Sequence, residues 1–247
     1  MAKYKLTLSY DGTGYGGWQV QPNATSIQSL VEAALSTLLK VKTSIVGAGR
    51  TDAGVHALGQ IAHFSAQETL NLRRVLRSLN GLLPDQIRVL KVEAVDDDFH
   101  ARFSAIGKVY HYNLHSHPIA CPFTRLYSLQ IFHTLDLSDL YTAAQLFVGT
   151  HDFTSFANES DRGSAAINAV RYLQRIDVVE KENGVQLIFE GNGFLYKMVR
   201  NIVGTLLEVC AGKKHIDQIP EILAAKDRKK AGKAAPALGL FLAKVIY

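Results

Sequence analysis

The segment GAGRTDAGVHALGQ, residues 47–60, sets Arg50 and Asp52 among glycines at 47, 49, 54 and 59. Two readings of that carboxylate stand side by side. In the first it is turn chemistry, with the Asp52 side chain accepting hydrogen bonds from nearby backbone N–H groups. In the second it is a reactive group. Glycines let a loop approach a ligand closely, and a guanidinium two residues away neutralises either Asp52 or a phosphate. Taken alone, the stretch favours the turn. His56 reads as a loop-packing residue, because no step calls on it to move a proton.

Partners for a carboxylate can come from the second half of the chain. Placed on a helix at about 100° per residue, FLYKMVRNIVGTLLEVC lines up Lys197, Asn201, Gly204 and Glu208 as a narrow polar stripe. Leu195, Met198, Val199, Ile202 and Leu206 form the apolar face, and Arg200 falls at the seam. Arg200 is then either a snorkelling residue covering core or a guanidinium held where it can pair with a carboxylate. In VYHYNL, Tyr110 and Tyr112 share one face of a strand, opposite His111. Tyrosines there pack, or stack on a base and use the hydroxyl as acid or base.

Several chemistries are excluded. The G-x-G-x-x-G pattern starting at Gly47 fails because position 52 is aspartate, and no G-K-[ST] occurs. No G-x-S-x-G elbow is present. His111, His115 and His117 share a strand face by their spacing but have no carboxylate beside them, so the expectation is no metal and a solvated face.

These residues need elements to carry them. Residues 3–10 alternate as a strand, followed by the loop DGTGYGGWQ, whose Tyr15 and Trp18 are expected as exposed aromatics suited to base or sugar contacts. Ser26 caps a helix running to about Lys40, and a second helix covers 71–82 with Arg73, Arg74 and Arg77 on its outer side. Strands are expected at 43–47, 58–65, 87–96 and 107–116, and a hairpin turns around Glu182–Gly184. Helices are expected at 136–148, 194–210 and 217–225, and GLFLAKVIY closes as a strand. Strands and helices mix without regular βαβ alternation. The fold class is therefore α+β with largely antiparallel sheets, in two domains, residues 1–104 and 105–247.

The chain has 247 residues, 47 % of them apolar and 20 % charged, with a net charge of +5. That balance describes a folded domain or two with a modest basic excess. The clusters Arg73, Arg74, Arg77 and Arg228, Lys229, Lys230, Lys233 modestly favour a nucleic-acid partner. Two cysteines without a C-x-x-C pair, no secretory leader pattern and no run of about 18 apolar residues point to the cytoplasm and away from a membrane.

At this point the chain resembles a family. GRTDAGVHALGQ is similar to the catalytic loop of the tRNA pseudouridine synthases that act on the anticodon arm at uridines 38, 39 and 40. YDGTGYGGWQVQP, FHARFSAIGKVYHY, GTHDFTSF, FEGNGFLYKMVRNIVGTL and APALGLFLAKVIY resemble its other motifs in order, across essentially the whole chain. The resemblance implies two α+β domains flanking a positively charged cleft, a homodimer gripping tRNA, and no metal or organic cofactor. It places Asp52 on the essential carboxylate and Arg200 on the arginine that pairs with it. Tyr110 falls on the tyrosine that contacts the target uridine. Arg50 falls on the loop arginine that holds the flipped state, and Arg102 in FHARFSA is carried over as substrate-binding. Cys210, Ala211 and Lys233 depart from the family pattern away from this chemistry.

The implied reaction breaks the N1–C1′ bond of uridine, turns the base and joins C5 to C1′. One carboxylate serves a sugar carbon that develops positive charge, either as nucleophile or as electrostatic partner. The base must leave its stack to be reached. Two other readings differ in class. A non-catalytic tRNA-binding module would bind tRNA and leave uridine unchanged. A nucleoside hydrolase or phosphorylase would want a second carboxylate near Asp52, and the sequence offers none.

Overall fold

A computed structural model describes residues 1–132, 135–158 and 167–247. These fall into two compact units, Met1–Ile106 with Phe241–Tyr247, and Gly107–Leu240. Both mix helices with a mostly antiparallel sheet.

In the first unit, β1 (Ala2–Tyr10) lies between β4 (Ile87–Val95) and β3 (His56–Ala66), antiparallel to both. The short β2 (Val46–Gly47) pairs antiparallel with β3. β10 (Leu240–Ile246) pairs parallel with β3 through Phe241 opposite His56 and Leu242 opposite Ala57. The register of β1 turns Tyr4, Leu6, Leu8 and Tyr10 inward, and all four are buried. Period-2 alternation thus makes one face of the strand core.

α1 (Ile27–Leu39) begins where expected. The Ser26 side chain accepts the Ser29 N–H while Ser29 Oγ reaches the Ser26 N–H, satisfying two orphan donors reciprocally. α2 (Leu72–Leu82) is capped by Asn71 and buries Val75 and Leu79, leaving Arg73, Arg74 and Arg77 exposed. Trp18 does not stand out from its loop. It is 1 % exposed, stacked near Tyr10, and only a glycine at 47 clears its indole. A tryptophan so buried is core, so it offers no base contact.

In the second unit the order is β5 (Gly107–His115), β9 (Gly184–Gly191), β8 (Val170–Lys181) and β7 (Gly149–Asp152), each antiparallel to the next. The short β6 (Leu129–Gln130) joins β5 in parallel. The β8–β9 hairpin turns at residues 182–183. Three helices follow the expected periodicity: α3 (Leu137–Gln145), α4 (Met198–Cys210) and α5 (Gln218–Ala225). α4 starts later than the 194 that periodicity suggested. Lys197 is left-handed at φ 60°, which a right-handed helix cannot contain. His115 is buried, its ring bonded to the Ile119 carbonyl, so the histidine face is not simply solvated. Among the described residues no group of three His, Cys, Asp or Glu could hold a metal.

Candidate active site

The Asp52 loop is positioned by main chain pressed on main chain. The Trp18 N–H donates to the Thr51 carbonyl at 3.0 Å, and the Val55 N–H donates to the Asp52 carbonyl at 3.1 Å. Gly17, at φ +89°, lies so close beneath that a Cβ would stand 2.5 Å from the Thr51 oxygen. A Cβ on Gly12 would stand 2.0 Å from the Val55 oxygen. The first glycine loop is therefore the seat of the second, and the two glycines are required by close approach.

Side chains lock the loop from below. The buried Tyr10 hydroxyl meets Thr51 Oγ1 at 2.8 Å, and burial pushes the Tyr10 phenol far above its usual pKa, so it stays protonated. Gln60, fully buried, donates to the Gly49 carbonyl at 2.9 Å. Thr51 is buried while Asp52, the next residue, is half-buried and Arg50 is exposed. The turn thus hides its hydroxyl and offers its carboxylate. Arg50 Nε donates to Gln19 Oε1 at 3.1 Å, tying it to the first glycine loop.

Tyr10, Thr51 and Gln60 were not singled out by sequence reasoning. Gln60 had a usable signal: it is a polar residue in phase with the apolar Ala62 and Phe64 along its strand.

His56 keeps its packing role. Its ring stacks on Phe241 with centroids 4.6 Å apart, and Nδ1 accepts the Gly12 N–H at 3.0 Å. Asp11 Oδ1 lies 3.1 Å from the same nitrogen, an ion pair only if the ring is protonated. Arg102 is exposed, its guanidinium 5.7 Å from the centre of the exposed Phe103 ring. Its turn rests on histidines. The Arg102 and Phe103 N–H groups donate to His100 Nδ1, and the Ala101 N–H donates to His63 Nδ1. Burial, then the neighbouring His100 and Lys3, lower the His63 pKa to about 4, which keeps that acceptor neutral.

In the second unit, Tyr110 is buried on β5, edge-on to Phe194 at 4.9 Å. Tyr112 is fully buried and donates to the Pro236 carbonyl at 2.8 Å. Burial raises its pKa and the Arg200 charge pulls it partly back. Arg200, half-buried on α4, is more than a snorkelling residue. Its Nε donates to the Ala235 carbonyl at 2.7 Å, and its own carbonyl accepts the Ala235 N–H at 2.9 Å. Each unit thus presents part of the expected set: Asp52, Arg50 and Arg102 in the first, Tyr110 and Arg200 in the second.

Arg228 does not belong with the solvated basic cluster. It is half-buried, and Nη2 donates to Asn201 Oδ1 at 2.8 Å. Lys229, Lys230 and Lys233 remain exposed.

A family model described as tRNA pseudouridine synthase matches residues 7–104 and 143–247. The chain belongs to the tRNA pseudouridine synthase family. The tRNA pseudouridine synthase A 1 of Protochlamydia amoebophila is 57 % identical over 245 residues, covering 99 % of this chain and 96 % of that one. The tRNA pseudouridine synthase A of Chlamydia muridarum is 46 % identical over 99 % of this chain and 92 % of its own. That of Bacillus pumilus is 44 % identical over 99 % of each. Within the tRNA pseudouridine synthase match, the Asp52 loop falls in the first segment and Arg200 in the second. Tyr110 lies between the two.

Proposed function

We propose that this isomerase converts uridine to pseudouridine at positions 38, 39 and 40 of the tRNA anticodon arm, with Asp52 as its essential carboxylate. The observation that carries the assignment of Asp52 is the seating of its loop. Two glycines and the Thr51–Tyr10 contact fix the backbone while leaving the carboxylate half-exposed. A turn aspartate needs no such seat.

In this reading the target uridine leaves its stack and meets Asp52 from the first unit and Tyr110 and Arg200 from the second. Asp52 acts on C1′ as the N1–C1′ bond breaks, as nucleophile or as partner to the positive charge. Arg200 pairs with that carboxylate. Tyr110 lies against the base and is the candidate to take the C5 proton once C5 has joined C1′. Arg50 and Arg102 hold the flipped nucleotide and its phosphates. The proton lost from C5 is balanced by one gained at N1, so the product has the composition of uridine, no redox change occurs and the chemistry calls on no redox cofactor. The same reading has the two domains flank a positively charged cleft, the chain act as a homodimer, and the protein work in the cytoplasm.

The test is product mapping. tRNA is treated with the protein, and pseudouridine is located by carbodiimide labelling and primer extension. Stops at the anticodon arm are expected. Asp52→Asn should keep tRNA affinity and lose product, and a near wild-type rate in that variant would refute its role. tRNA binding without stops would favour a binding module. Reversing charge at Arg73 and Arg77, both exposed, should weaken tRNA binding and flatten its salt dependence. An unchanged slope assigns that helix face to solvent.

A further inference from the structure

Along α4 the middle of the polar stripe, Asn201 and Gly204, is buried, and residues 227–236 cross the helix there. Asn201 and Thr205 are fully buried. A Cβ on Gly204 would stand 1.7 Å from the Lys233 carbonyl oxygen, so the segment runs directly over the helix there. It is fastened at intervals. The Gly232 N–H donates to Thr205 Oγ1 and the Lys233 N–H to Glu208 Oε1, both at 2.9 Å. Ala235 closes the two-way contact with Arg200, and Pro236 receives the Tyr112 hydroxyl.

The entry of this segment is held by a guanidinium. Arg228 Nη2 reaches Asn201 Oδ1 at 2.8 Å, Nε reaches Asn158 Oδ1 at 3.4 Å, and Nη1 reaches the Ala231 carbonyl at 3.4 Å. Asn201 turns its other end away, donating to the Phe156 carbonyl at 2.7 Å and to Asn158 at 3.0 Å. Three acceptors from three stretches of chain converge on one planar fork, a geometry that a lysine ammonium cannot reproduce.

We propose that Arg228 is a positioning residue for the isomerisation: it clamps the 227–236 segment onto α4 and so holds the Ala235 carbonyl that aims the Arg200 guanidinium. Asn201, the residue after Arg200, is the fixed point of the clamp. The inference rests on the proposed role of Arg200. It takes Arg228 out of RNA binding, although its sequence neighbours Lys229 and Lys230 face solvent.

The test uses the full-length protein and tRNA under single-turnover conditions. Arg228→Lys and Arg228→Gln should each slow product formation about tenfold, as expected for a misaimed group, with tRNA affinity changed by less than about twofold. In an Arg200→Lys background, itself slower, Arg228→Gln should cost less than about twofold more, because the two act through one group. A full tenfold loss in that background overturns the proposal alone. So does a wild-type rate in Arg228→Lys together with weaker binding and a flatter salt dependence in Arg228→Gln, which is the behaviour of a phosphate contact. A wild-type rate for Arg200→Lys by itself overturns the assignment of Arg200, and this inference with it. If the Arg228 variants fail to fold, Asn158→Ala removes one acceptor of the fork at a half-buried position. A rate about threefold lower at unchanged affinity then supports the clamp, and a wild-type rate overturns it.

Discussion

The Asp52 loop and the Arg200 helix solve the same problem by different means. The Asp52 loop is held largely through its backbone: glycines that admit a second loop, amide-to-carbonyl bonds, and the Gln60 side chain on the Gly49 carbonyl, with the Tyr10–Thr51 contact beside them. The Arg200 guanidinium is tethered to the Ala235 carbonyl, on a strap that side chains fasten across its helix: Arg228 through Asn201 and Asn158, with Thr205 and Glu208 further along. A short carboxylate on a turn has little freedom of its own, so fixing the main chain fixes it. A long guanidinium keeps several rotatable bonds after its helix is formed, and needs a tether near its tip.

The contrast can be broken at each end. Gly12→Ala should have the largest effect, because its Cβ meets the Val55 backbone and nothing flexible can yield. A loss of about 3 kcal/mol in urea unfolding is expected, with a fall in single-turnover rate as the Asp52 loop lifts. Gly204→Ala comes next. Alanine gains about 1 kcal/mol of helix propensity, yet it must displace the Lys233 carbonyl, so a net loss of about 2 kcal/mol is expected. Stabilisation in that variant would mean that the strap is free to swing. Tyr10→Phe should be smallest, about 1 kcal/mol, from the lost contact with Thr51. A rate loss far beyond that stability change would show that the phenol tunes Asp52 as well as supporting it.

What was legible in the sequence follows the range of the forces involved. The Ser26 cap, the inward alternation of β1 and the β8–β9 turn are local and were readable. The left-handed Lys197 was not, since it carries a side chain that resists that conformation and is held there by its surroundings. The parallel pairing of β10 with β3 joins residues from opposite ends of the chain, and no local pattern encodes it. At the candidate site, Asp52 stood out through its own glycines, but the glycines that seat its loop, Gly12 and Gly17, lie on a separate loop earlier in the chain. Arg228 was grouped with the exposed lysines because charge runs look alike in sequence, whereas it is half-buried and bonded to Asn201 and Asn158. The clue was the polar stripe on α4, which on a buried helix demands polar neighbours.

The return of β10 to the first unit has a consequence for synthesis. Phe241 supplies the ring on which buried His56 stacks, and β10 lends its edge to β3. On the ribosome, everything from β1 to β4 emerges long before β10, so the nascent first unit waits with His56 and Ala57 of β3 unmatched on the side away from β1. The intervening chain, which has its own sheet and helices, has time to fold meanwhile. Completion of the Asp52-bearing half therefore waits for β10, and a ribosome stalled before residue 241 holds a chain whose first unit still lacks that strand.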